Sequence, residues 1–146
     1  MIPRYSRPEM TAIWEPENKF RIWFEIEAHA CDAQAALGTI PKEAARVIWE
    51  RGAYQIQRIS EIEQETKHDV IAYINNVSEY IGENAKYLHH GITSSDIVDT
   101  SFSIQLKQST EVIINKLYLL LTFLIFFSIS KNISGHIIPF KIDCSF

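Results

Sequence analysis

The sequence predicts an all-α protein, and three observations carry that expectation. Apolar residues recur at helical spacing, proline and glycine stand where helices start and stop, and no segment sustains a period-two alternation with β-branched bias. Across residues 16–37, Phe20, Trp23, Phe24, Ala28, Cys31 and Ala35 can share one apolar stripe. Gly38 follows where a left-handed residue closes a helix. Pro41 is placed as the first residue of a second helix, Lys42–Arg51, which ends before Gly52. Ile56, Ile59 and Ile62 mark a third helix that stops near Thr66, and Val70, Ile71, Ile74, Val77 and Ile81 a fourth, closed by Gly82. Residues 83–92 read as a loop. A long helix then begins near Ser95, with Ile97, Val98, Phe102, Ile104, Leu106, Val112 and Ile113 among its apolar positions.

Bulk properties narrow the function classes. A chain of 146 residues can bury one real core. Its apolar fraction, 47%, is ordinary, and its net charge of −4 comes with no basic stripe, so nucleic acid has no electrostatic footprint to bind. Cys31 and Cys144 lie far apart in unlike contexts and give neither a disulfide framework nor a zinc spacing. Arg4, Arg7 and Glu9 sit at the start without an apolar run, unlike a secretory signal, and the expected compartment is the cytoplasm.

The composition breaks near residue 116. Before it the chain is rich in Glu, Asp, Arg and Ala; after it, Leu117-Tyr118-Leu119-Leu120-Leu121-Thr122-Phe123-Leu124-Ile125-Phe126-Phe127-Ser128-Ile129 is nearly all apolar. The run is shorter than the roughly 18 residues of a membrane span, and no membrane partner is expected. Three origins stay open for residues 117–146: sequence continued out of frame, which is favoured, a helix buried on all sides in an oligomer, or a membrane-associated segment. The expected division is therefore 1–92, a helical domain, 93–116, the start of a longer helical bundle, and 117–146, the divergent tail.

Two polar segments carry the chemistry. Leu88-His89-His90-Gly91-Ile92-Thr93-Ser94-Ser95-Asp96 packs two imidazoles, a glycine turn and three hydroxyls into the entry of the long helix. Thr93 and Asp96 have capping-box spacing, and the free N–H groups and dipole of a helix start favour anions. Lys67-His68-Asp69-Val70 breaks two helical patterns and offers a histidine, which titrates near neutrality when unperturbed. Asp69 stands ready to orient it. His29 and His90 are read as structural.

Together these segments resemble the adenylosuccinate lyases, as do Ile2-Pro3-Arg4-Tyr5-Ser6-Arg7-Pro8-Glu9-Met10, Ile13-Trp14 and the stretch from Phe20 to Leu37. The matches run in order over roughly residues 1–116. The resemblance implies the all-α fold of the fumarase/aspartase-type lyases and a β-elimination: adenylosuccinate gives AMP and fumarate, and the succinylated aminoimidazole carboxamide ribotide is cleaved likewise in purine synthesis. It implies that Arg4 and Tyr5 hold the nucleotide phosphate, with His89 as a second phosphate partner. Lys67, His68 and Asp69 follow as substrate-binding residues, His68 also assisting the general acid. Thr93 and Ser94 follow as substrate contacts through hydroxyl and backbone N–H groups, while Ser95 and Asp96 cap the helix. No metal or organic cofactor is implied, and the family partner is a homotetramer whose active sites combine three subunits.

Two family signatures are absent from these 146 residues. One is a Thr/Ser-His segment followed by Glu-Pro; the other is a mobile serine loop ending in Met-Pro-x-Lys-x-Asn-Pro. Gly135-His136-Ile137-Ile138-Pro139 resembles the first only faintly, and His136 is not expected to act. The chain alone is therefore expected to be inactive. The alternative function is a non-catalytic nucleotide-binding or subunit-interaction module.

Overall fold

The structure, a computed structural model, describes residues 2–134. His136 and Cys144 lie outside the described residues. Among the described residues every regular element is helical: α1 (Pro8–Trp14), α2 (Pro16–Ala36), α3 (Lys42–Arg51), α4 (Ile56–Thr66), α5 (Asp69–Ile81) and α6 (Ser94–Ser134), with 3-10 turns at Pro3–Tyr5 and Gly82–Tyr87. Two compact units divide at Ser109 and Thr110.

Chain breaks follow backbone chemistry. Pro8 and Pro16 stand at the first turns of α1 and α2, where a missing N–H costs nothing. Gly38 has φ +76°, the left-handed conformation expected of it. Pro41 is the residue before α3 rather than its first, because its ψ of 137° is extended. The stretch read as a loop after Gly82 contains a 3-10 turn, Gly82–Tyr87, whose tighter i→i+3 bonds leave no apolar period to detect.

In the first unit α2 is the central helix. Phe20, Trp23, Ala28, Cys31 and Ala35 are buried as the stripe predicts, with Phe24 packed against them. Trp23 and Phe20 meet Tyr73 of α5 at ring-centroid distances of 5.4 and 5.6 Å. Burying side chains of this size stabilises by about 1.5–3 kcal/mol each before entropy. On α5 the inward face is Val70, Ala72, Tyr73, Val77 and Ile81, whereas Ile71 is exposed.

The start of α6 reverses the expected face. Of its predicted apolar positions within the first unit only Ile97 is buried, and Val98, Phe102 and Leu106 are exposed. Ser101, Gln105 and Ser109 point inward instead. Gln105 donates to the Ile13 carbonyl at 2.8 Å, and Asn18 donates to Gln108 at 2.9 Å, so this docking is by hydrogen bonds.

In the second unit the large apolar side chains between Leu117 and Ile129 are exposed. Phe123 and Phe127 stack at 6.2 Å, and Thr122 donates to the Tyr118 carbonyl. An 18-residue stretch of mean hydropathy 2.2 lies within α6, enough by length and composition to cross a membrane. The shorter expectation counted only residues after Lys116; the helix runs through that lysine and joins Val112, Ile113 and Ile114 to the apolar run.

Candidate functional site

Arg4 and Tyr5 lie in the first 3-10 turn, both exposed, with the Arg4 guanidinium 4.8 Å from the Tyr5 ring centroid. That stacking leaves the guanidinium fork free to engage an anion.

Lys67, His68 and Asp69 form the corner between α4 and α5. Lys67 takes φ +54°, ending α4 in a left-handed turn. His68 is extended and caps α5: its Nδ1 accepts the Ile71 N–H at 3.4 Å, a long bond. An accepting Nδ1 places the neutral ring's proton on Nε2. The Asp69 carboxylate is 3.6 Å from Nδ1, outside hydrogen-bond range, and accepts its neighbour Val70's N–H at 2.8 Å. Asp69 therefore sits beside His68 electrostatically without fixing its ring. At the far end of the same helix pair, Arg58 in the first turn of α4 ties it to the last turn of α5: its Nε and Nη2 both donate to Glu79 at 3.1 and 2.9 Å. That guanidinium holds the Glu79 carboxyl below its ordinary value.

The third segment is anchored differently at each residue. His89 has φ +57° and is held by Glu27 of α2, which accepts its backbone N–H at 2.8 Å and stands 2.6 Å from Nδ1. The His90 backbone carbonyl accepts from the Gln34 side chain. Gly91, at φ +72°, turns the chain toward α6. Thr93 precedes the helix; its N–H donates to the Asp96 carboxylate at 2.8 Å, while its carbonyl accepts the Asp96 N–H at 3.0 Å. This is the carboxylate half of a capping box. Thr93 is exposed and Ser94 half-buried.

Among the described residues no hydrogen bond or ion pair joins the three segments. Two of them are joined by the chain itself: α5, which starts at Asp69 beside His68, runs directly into the 3-10 turn that leads to His89. The open groove between α2 and α3, lined by Asp32, Ala35, Ala36, Lys42, Ala45 and Arg46, contains none of the predicted site residues. No group of three or more His, Cys, Asp or Glu placed to hold a metal ion is present among the described residues. Glu27, the buried partner of His89, is the residue of this neighbourhood that sequence reasoning missed. A glutamate within a helix reads as solvated, and its partner lies 62 positions away.

The chain matches the lyase family over residues 4–125, a span that contains every predicted site residue. It is 51% identical over 117 residues to adenylosuccinate lyase of Bacillus subtilis, covering 80% of this chain and 27% of that protein. It is also 51% identical over 113 residues to adenylosuccinate lyase of Streptococcus mutans, covering 77% and 26%. Among solved structures, fumarate lyase from Mesorhizobium sp. BNC1 superposes with a TM-score of 0.67 at 28% identity, over 75% of this chain and 27% of that one. The chain thus spans about a quarter of the length of the curated relatives it matches.

Proposed function

The chain belongs to the lyase family, and from that membership we propose that it is the N-terminal portion of an adenylosuccinate lyase, contributing substrate-binding residues to fumarate-forming cleavage. The observation that carries the proposal is the 51% identity over 117 residues to a protein of that name. The fold agrees, since a fumarate lyase superposes on three quarters of the chain.

In the reaction a base removes a carbon-bound proton, the electron pair forms the fumarate double bond, and the C–N bond breaks as an acid protonates the departing nitrogen. Adenylosuccinate gives AMP and fumarate this way, and the succinylated aminoimidazole carboxamide ribotide gives the free carboxamide ribotide and fumarate by the same step. Such chemistry needs acid and base groups and several anion contacts. On this reading Arg4, Tyr5 and His89 hold the phosphate, Thr93 and Ser94 bind the substrate at the start of α6, and Lys67 and Asp69 flank His68. His68 presents Nε2–H as a donor in its neutral form and assists protonation of the leaving nitrogen.

The principal acid and base belong to signatures that these 146 residues do not contain, so the chain alone releases no fumarate on this proposal. A cytoplasmic homotetramer, with sites completed by other subunits, is the assembly that goes with it. The test replaces the matching segment of the Bacillus subtilis enzyme with residues 1–116 of this chain. Fumarate release by the folded chimera supports the proposal, and a folded but inactive chimera overturns it. Steady-state fumarate release by purified 1–146 above a His68→Ala control would overturn the inactivity of the chain alone.

A further inference from the structure

Glu27 is the only fully buried carboxylate among the described residues. Burial of a carboxylate is costly unless its oxygens are hydrogen-bonded. Here both oxygens turn to one residue: Oε2 accepts the His89 backbone N–H at 2.8 Å, and Oε1 lies 2.6 Å from His89 Nδ1. His89 in turn holds φ +57°, a conformation that is uncommon for any residue with a Cβ and persists where its surroundings enforce it. Burial pushes the Glu27 carboxyl up, and the two hydrogen bonds from His89 act in the opposite sense. A carboxylate needed only to tie down a loop backbone would have no reason to grip the ring as well.

We propose that Glu27 is a positioning residue for His89, holding the ring with Nδ1–H turned to the carboxylate so that Nε2 is the nitrogen offered to an anionic phosphoryl group. The inference rests on His89 being a phosphate contact, as proposed above. The carboxylate sets which ring nitrogen faces a ligand, the usual means by which a histidine is oriented. It also balances the imidazolium, in which both ring nitrogens donate, so that Nε2–H can bind an anion without leaving a net buried charge.

The test uses the whole 1–146 chain labelled with 15N, with inorganic phosphate as the probe. The His89 ring nitrogens are followed by NMR in the native protein and in Glu27→Gln, which keeps the side-chain volume. The expected result is a protonated Nδ1 in the native chain and a response at Nε2 on phosphate addition. In Glu27→Gln, with helicity retained by circular dichroism, the Nδ1–H preference is lost and the half-saturating phosphate concentration rises roughly tenfold, the lower end of what loss of an orienting partner costs a metal-binding histidine. A neutral ring with bare Nδ1 in the native protein overturns the proposal, and that measurement needs no variant to fold. An unchanged phosphate response in folded Glu27→Gln also overturns it. If native His89 holds Nδ1–H but ignores phosphate, the phosphate role falls, while the ring comparison between native and Glu27→Gln protein still decides the role of Glu27.

Discussion

Trp23 Nε1 donates to Ser101 Oγ at 2.9 Å, joining the centre of α2 to the first turns of α6 inside the buried core. Ser101 passes the bond on, donating to the Val98 carbonyl at 2.9 Å. The contact fixes where the polar face of α6 lands, and with it the placement of Thr93 and Ser94 about two turns upstream. Ser101→Ala leaves the indole N–H buried without an acceptor. The expected loss is about 1–3 kcal/mol, the cost of an unsatisfied buried donor, read from the urea midpoint at unchanged m. A change below about 0.3 kcal/mol would mean that water or another acceptor replaces the hydroxyl.

Gly52 is a packing glycine. Its φ of −60° is open to any residue, yet a Cβ built there overlaps the Phe24 ring and the Ile48 carbonyl oxygen. The Phe24 ring in turn packs edge-on against Trp49 at 5.8 Å, so little room exists for it to move. Gly52→Ala is expected to destabilise by about 1–3 kcal/mol, the range for overpacking, rather than to stabilise by lowering unfolded-state entropy. Thermal unfolding of the variant gives the sign directly.

Such particulars separate what the chain shows locally from what it does not. The bounds of α3 were legible because Pro41 and Gly52 punctuate a clear period. The left-handed turn at Gly38 was legible because few other residues adopt it without strain. The inward face of α6 was not, since Phe102 and Leu106 carry the apolar signal while Ser101, Gln105 and Ser109 carry the contacts. Their i, i+4, i+8 spacing was the available clue. The same limit hid Glu27: His68, Thr93 and Asp96 announce themselves within a few residues, whereas Glu27 acquires its meaning only when α2 meets His89. Neighbour-dependent chemistry of that kind has no local pattern.

Cys31 supplies a pH-dependent signature of the same core. It is buried on α2, donates weakly to the Tyr87 carbonyl, and has its thiol pushed up to about 12 by burial and by the nearby Glu27 and Asp32 carboxylates. The reactive species is the thiolate, so at pH 8 only about 10⁻⁴ of the folded thiol is ionised. Iodoacetamide is expected to spare the Cys31 peptide in folded protein and to modify it in urea, as mass spectrometry would show. The stability term follows in sign: the folded value lies above the ordinary 9.0, so the contribution is complete below pH 9 and is lost as pH rises from 9 toward 12. Modification of folded Cys31 at pH 8 as fast as in urea would mean that α2 opens locally.

His68 has two jobs that one substitution confuses and a pair can separate. Its Nδ1 caps α5 at the Ile71 N–H, while its Nε2 is the group assigned to the substrate. His68→Ala removes both. His68→Asn keeps a good capping side chain but has no imidazole to donate or take a proton at neutral pH. In the chimera described above, His68→Asn is expected to unfold within about 0.5 kcal/mol of the native chimera, and His68→Ala up to about 1 kcal/mol below it. Both are expected to lose about 10²-fold or more in kcat, the usual weight of a group that moves a proton. Retained kcat in His68→Asn with a loss in His68→Ala would make the histidine a helix cap and move the acid assistance to another residue of the site.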